Sequence, residues 1–264
     1  MIVAAGQRGR IAAVFDIDGT LLPAPSLELR LAAHLALDRK LRLRTIGVWL
    51  RSLLSQVLGI SREGTEFSER APTLHQNKMY LDGVRTGEVD EWIAREIAEL
   101  EFFAEALEIL DWHRRRGHAI VLMSGTLAAL ARAMGTLLAG DAEIFVRATE
   151  LERDGNRWTG RVTGEAICGP AKERALMQLA AENNFDLSRS YAYADSPKDR
   201  WLLGAVGHPV AVNAGPRLAQ LARKSGWRLA NWNGRAHATA IHNRAEFFRA
   251  ENDAQVFAEK RSWK

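Results

Sequence analysis

A five-residue apolar run, Ile11 to Phe15, delivers two carboxylates, Asp16 and Asp18, and is followed at once by Gly19-Thr20. No other stretch restricts the fold so strongly. Consecutive strand side chains point to opposite faces, so the two acids share a side if the chain stays extended. A turn beginning at Asp16 can instead aim both inward. Burying a lone carboxylate costs several kcal/mol, roughly, unless it is paired or binds a cation. Taken alone, D-x-D-G is equally a strand ending in an Asp-Gly turn, so the rest of the chain has to decide.

The chain has 264 residues, enough for one large domain or a domain with a sizeable insertion. Its single cysteine, Cys168, rules out an intramolecular disulfide and points to a reducing compartment, hence a cytoplasmic protein. Met1 to Arg10 is too short in apolar residues for a secretory segment. The apolar-looking stretch Thr45 to Ile60 is interrupted by Arg51, Ser52, Ser55 and Gln56, so no integral membrane segment is expected. A net charge of +4 suits anionic metabolites as well as nucleic acid. No paired C-x-x-C, aromatic RNA-binding motif or lysine tract accompanies it, which argues against nucleic acid.

Along the chain, Pro23-Ala24-Pro25 closes the first β-unit. From Ser26 to Phe103 the pattern is helical without a convincing strand. It includes Leu27, Leu31 and Leu35 on one face, a stripe from Ile46 to Leu58, and a helix over about 88–100. Strand and helix then alternate. A helix over 104–116 is stopped by Gly117, a buried strand runs over 118–123 to Ser124-Gly125-Thr126, and a helix follows over 127–138. Ile144 to Val146 reads as a strand, and 149–164 as a hairpin around Asp154-Gly155-Asn156. Pro170 opens a helix carrying Lys172 in its first turn. A strand ends at Asp195, a last strand spans 208–213 and the last helix 216–224. In the tail, a helix over 245–260 carries Phe247, Phe248 and Phe257, which suit docking on the parent domain or on the partner of a homodimer. The seven histidines have no metal-ligand spacing and read as structural or surface groups; Cys168 reads as a small buried residue.

The expected fold class is therefore α/β, a Rossmann-like parallel sheet with an inserted α-helical cap. Ligands of such sheets sit at the carboxyl ends of the strands. Asp16 and Asp18, Ser124 and Thr126, and Asp195 and Asp199 all fall at such ends. Carboxylates from two strands are hard-oxygen donors suited to Mg²⁺, and Lys172 at a helix N-terminus favours phosphate.

The set Asp16-x-Asp18-Gly-Thr-Leu, Ser124-Gly-Thr, Lys172 and Asp195-x-x-x-Asp199 resembles the haloacid dehalogenase superfamily, in the branch (subfamily IB) of phosphoserine phosphatase and related small-molecule phosphatases. The resemblance covers about residues 11–228. It implies a core of residues 1–25 and 104–228, a helical cap of 26–103 and a C-terminal extension, 229–264, expected to be helical. It further implies hydrolysis of a small phosphorylated metabolite through an aspartyl-phosphate. In that scheme Asp16 is the nucleophile and Asp18 the general acid and base. Ser124, Gly125 and Lys172 hold the phosphate, with Ser124 and Lys172 also catalytic, and Mg²⁺ is bound by Asp16, Asp18 (through its carbonyl), Asp195 and Asp199.

Two positions depart from the family pattern. Lys198 stands where Asn is common, and Pro25 stands where phosphoserine phosphatases carry a Glu that reads the substrate amine, which argues against phosphoserine itself. The cap's cluster Arg39, Lys40, Arg42 and Arg44 could attract an anion or simply be solvated, and Trp49 could line a pocket or pack in a core. The sequence leaves open a phosphotransferase on the same fold and a non-catalytic scaffold.

Overall fold

The computed structural model describes residues 9–41, 78–139 and 143–237. At its centre lies a six-stranded sheet in the order β4-β3-β1-β7-β8-β9, from β1 (Ala12–Phe15), β3 (Ala119–Leu127), β4 (Ile144–Thr149), β7 (Tyr191–Ala194), β8 (His208–Val212) and β9 (Arg228–Ala230). Every pairing in it is parallel. The expected α/β class with a parallel sheet is thus what the chain adopts.

Both faces of this sheet are covered, which is why its strands read as continuous apolar runs. Ala13 and Phe15 project into one cluster with Ile120 and Leu122, against α3 (Ala104–Arg115) and α4 (Ala128–Ala139); buried residues of α1 (Leu27–Leu37) join the same cluster. Ala12 and Val14 project into the other with Ala119 and Val121, against α5 (Pro170–Asn183), α6 (Arg200–Gly204) and α7 (Pro216–Ser225). Helix α2 (Thr86–Glu96) buries Val89 and Trp92, and starts and ends earlier than its periodicity suggests. The chain adds strands to one side of β1 as β3 and β4, then crosses to the other side as β7, β8 and β9. The reversal happens at β1, so a crevice opens at its carboxyl end.

Several elements differ from expectation. β3 does not stop at Met123; it remains buried through Leu127, with a register shift against β4 between Ser124 and Leu127. The segment before Phe103 is not wholly helical, because β2 (Glu101–Phe103) pairs antiparallel with β10 (Arg235–His237). Strand 208–213 is not the last, since β9 and β10 follow, and residues 228–237 are strand and loop rather than helix. The hairpin of β5 (Leu151–Asp154) and β6 (Arg157–Val162) is present with Gly155 at φ 56°. It receives the segment after Lys78: Gly83 N–H donates to Trp158 O and Trp158 N–H to Val84 O. The Ile46–Leu58 stripe, Arg42, Arg44, Trp49 and the 245–260 helix lie outside the described residues.

Candidate active site

Immediately after β1 the chain makes a tight turn. The N–H groups of Leu21 and Leu22 donate to Ile17 O at 2.8 and 2.9 Å, and Gly19 N–H donates to Leu22 O at 2.7 Å. Gly19 is at φ 81°, and a Cβ there would collide with the Asp195 carboxylate. Glycine is therefore required twice over, for the left-handed backbone and for the close approach of the first acidic strand end to the last. The turn brings Asp16 and Asp18 to one pocket, resolving the alternative left open by their spacing.

That pocket, about 210 Å³, is lined by Asp16, Asp18, Ser124, Gly125, Lys172, Asp195 and Asp199, together with Cys168, Gly169, Ser196 and Lys198. Every residue named for phosphate or metal binding lies there, whereas Thr126, also at a strand end, does not line it. Lys172 comes from the first turn of α5, where Gly169 at φ 55° occupies the N-cap position and Pro170 begins the helix. Its Nζ, almost wholly buried, donates to Asp16 Oδ1 at 2.8 Å and lies 2.6 Å from Asp199 Oδ1. Burial opposes the lysine's charge, but the Asp16 and Asp199 carboxylates outweigh it and hold the ammonium protonated.

The carboxylates are crowded. Burial pushes Asp16 up, Lys172 pulls it down, and Asp199 and Asp195 push it up again; the net shift is upward. Burial, then the Asp199 charge, raises Asp195 to about 7. One oxygen each of Asp16, Asp195 and Asp199 lies within 4.8 Å of the others. One ammonium among three carboxylates leaves negative charge uncompensated. That deficit, with all-oxygen donors, fits a hard divalent cation such as Mg²⁺. The Asp18 carboxylate is not part of this trio.

Asp18 is held differently. Its Oδ1 accepts the N–H of Leu27, the first residue of α1, at 2.6 Å, while its buried Oδ2 has no partner. Burial raises its pKa to about 6, against the opposing Leu27 hydrogen bond; nearby Glu28 adds to the rise and Lys78 opposes it. One oxygen is thus tied to the backbone, and the other is free to carry a proton near neutral pH.

Ser124 is buried, and its Oγ accepts Thr126 N–H at 3.2 Å. The carbonyl of Gly125 accepts from both Thr149 Oγ1 and Lys78 Nζ, each at 3.0 Å. The tight grip on this turn comes from residues that sequence reasoning passed over. Lys78 is fully buried and paired with Glu28, and Tyr80 donates to the second Glu28 oxygen at 2.8 Å. Glu28 and Lys78 lie 50 residues apart, and no local periodicity joins them. Cys168 is half-buried and lines the pocket rather than filling the core. Among the histidines, His113 is wholly buried, with Nδ1 2.8 Å from His118 Nδ1 and Nε2 2.9 Å from the Tyr193 hydroxyl.

No helix among the described residues is long and apolar enough to cross a membrane. The chain is 29% identical over 231 residues to a Streptomyces azureus protein named "Inhibition of morphological differentiation protein", covering 85% of this chain and 79% of that one. It is 28% identical over 222 residues to "Phosphoserine phosphatase SerB1" of Mycobacterium tuberculosis (strain ATCC 25618 / H37Rv), covering 83% of this chain and 70% of the relative. A solved structure, "Phospho-Aspartyl Intermediate Analogue of Phosphoserine phosphatase", superposes with a TM-score of 0.60 at 19% identity, over 85% of this chain and 94% of that one, a likeness of fold. The sequence profile of the haloacid dehalogenase-like hydrolases matches residues 13–203, which bring Asp16, Ser124, Lys172 and Asp195 together in one pocket, and the chain belongs to that family.

Proposed function

We propose that this hydrolase is a phosphomonoesterase that cleaves a small phosphorylated metabolite through an aspartyl-phosphate on Asp16. The observation that carries this reading is the pairing of buried Asp16 with Lys172 inside the pocket that also holds Asp18, Ser124 and Gly125. The name of the Mycobacterium tuberculosis relative agrees with the reaction. The neighbouring fold whose title includes a phospho-aspartyl intermediate analogue is in keeping with it.

Asp16 attacks phosphorus in line and displaces the alcohol. Lys172 lowers the charge repulsion between the carboxylate and the incoming dianion, and Ser124 Oγ with the Gly125 N–H donates to the phosphoryl oxygens. Asp18, proton on Oδ2, protonates the leaving oxygen; ionised afterwards, it takes a proton from the water that hydrolyses the aspartyl-phosphate. Asp16, Asp195, Asp199 and the Asp18 carbonyl would hold Mg²⁺, which supplies charge neutralisation between nucleophile and phosphate. Residues 26–103 serve as a cap over a core of 1–25 and 104–228, with 229–264 as an extension. A cap that closes excludes water from the reaction.

The test is hydrolysis of p-nitrophenyl phosphate by the full chain with Mg²⁺, with EDTA, and in Asp16→Asn. EDTA should abolish turnover reversibly, and Asp16→Asn should lower kcat by about 10³-fold or more. Undiminished turnover in Asp16→Asn would overturn the mechanism.

A further inference from the structure

A buried ion pair stands outside the reaction just described yet lies beside two of its parts, the Ser124–Gly125 segment and the helix start that holds Asp18. Glu28, Lys78 and Tyr80 are each no more than 1% exposed. Lys78 Nζ binds Glu28 Oε2, and Tyr80 hydroxyl donates to Glu28 Oε1 at 2.8 Å, so both carboxylate oxygens are used. The ammonium also donates to Gly125 O at 3.0 Å. Taking two ions out of water rarely stabilises a fold relative to well-packed apolar residues. Such a pair is therefore better explained by what it holds in place.

On one side, Glu28 sits in the first turn of α1, next to Leu27, whose N–H donates to Asp18 Oδ1 at 2.6 Å. On the other, Lys78 grips the carbonyl of the turn whose Ser124 and Gly125 line the pocket. Lys78 is itself anchored, because the backbone just after it docks on the hairpin. Gly160 lies so close to Met79 that a Cβ there would stand 2.8 Å from Met79 Cα, and Gly83 N–H donates to Trp158 O at 2.8 Å. Three chain segments far apart in sequence thus meet at one pair of charges. We propose that Lys78, charge-paired with Glu28, is a positioning residue that sets the Ser124–Gly125 phosphate-binding turn at its working distance from Asp18. This rests on the phosphatase reading of the same pocket.

Thr149 Oγ1 also donates to Gly125 O, at 3.0 Å, so loss of Lys78 leaves that carbonyl with one of its two side-chain hydrogen bonds rather than none. The consequence is misplacement of the turn, not its collapse. Small misplacements at a reacting centre cost up to about 100-fold in rate.

The experiment compares the full chain with two variants, Lys78→Arg and the double substitution Glu28→Gln with Lys78→Met. Arg keeps the charge but presents a planar fork in place of a point donor. The double variant removes both charges together, so no lone ion is left buried. Each is measured for thermal melting, for kcat and KM on p-nitrophenyl phosphate with Mg²⁺, and for inorganic phosphate affinity by calorimetry. Both should melt cooperatively. The double variant should lose about 10- to 100-fold in kcat and bind phosphate at least several-fold more weakly, with Lys78→Arg in between. A cooperatively folded Lys78→Arg or double variant with wild-type kcat and phosphate affinity would overturn the proposal. If the wild-type chain hydrolyses no aryl phosphate, the phosphatase reading fails; the phosphate affinities then decide on Lys78 by the same criterion.

Discussion

Removing the acid at position 18 should make the metal-free protein more stable while destroying its activity. Burial raises the Asp18 carboxyl from an ordinary 3.8 to about 6, and its Oδ2 is buried without a partner. In the unfolded chain the group ionises freely. A carboxyl whose folded pKa is raised contributes stability fully present below pH 3.8, and that contribution is lost as pH rises through 6. At pH 7.5 the folded wild type must therefore carry a buried negative charge at a cost of about 3 kcal/mol. Asp18→Asn keeps an oxygen to accept the Leu27 N–H, and its amide has nothing to ionise. For a chain of this size that difference corresponds to a melting temperature about 5–10 °C higher. The assay is thermal unfolding of wild type and Asp18→Asn with EDTA present, from pH 3 to 8. The gain should vanish near pH 3 and grow toward pH 7.5. An Asp18→Asn protein that melts at or below wild type at pH 7.5 would show that the buried acid is at no cost to the fold.

Other expectations follow from the same geometry. Gly19→Ala should cost about 1–2 kcal/mol for the left-handed backbone alone and should also lower turnover, because the new Cβ displaces the Asp195 carboxylate; paired melting and kinetic measurements check both. Lys172→Met should lower kcat by about 10²- to 10³-fold, from loss of the charge beside Asp16, as measured with p-nitrophenyl phosphate. Burial, reinforced by His118 and Arg116, lowers His113 to about 3, so its contribution is fully present above pH 6.5 and is lost as pH falls. Urea unfolding between pH 6.5 and 4.5 should therefore show wild type losing about 1.4 kcal/mol per pH unit relative to His113→Gln. Parallel pH profiles for the two proteins would contradict that assignment.

Much of the sheet could be read locally because both of its faces are buried: Ala12 to Phe15 and Ala119 to Met123 are apolar without a break. The residues of the pocket were legible because acids and hydroxyls recur at the ends of several apolar runs of one sheet. What escaped depends on partners far away. β2 and β10 are three residues each, and Phe102 becomes a strand residue only by pairing with Ala236. β3 runs on past Ser124 because Ala148 and Thr149 of β4 extend alongside it, which no property of Ser124-Gly125-Thr126 announces. Nothing in the local sequence joins Glu28 to Lys78; only the fold places them face to face and out of water. Cys168 resembles any small core residue until the turn before α5 sets it on the pocket wall.

Everything proposed for this pocket depends on covalent phosphorylation of the Asp16 carboxylate. The direct measurement is acid quenching of the full chain during turnover of a phosphomonoester with Mg²⁺, borohydride reduction, and mass spectrometry of the peptides. An acyl phosphate at Asp16 is reduced to homoserine, so the peptide containing Asp16 should carry that change under turnover and lack it without substrate. Homoserine at a different aspartate, or none at any position while substrate is being hydrolysed, would rule out Asp16 as the nucleophile.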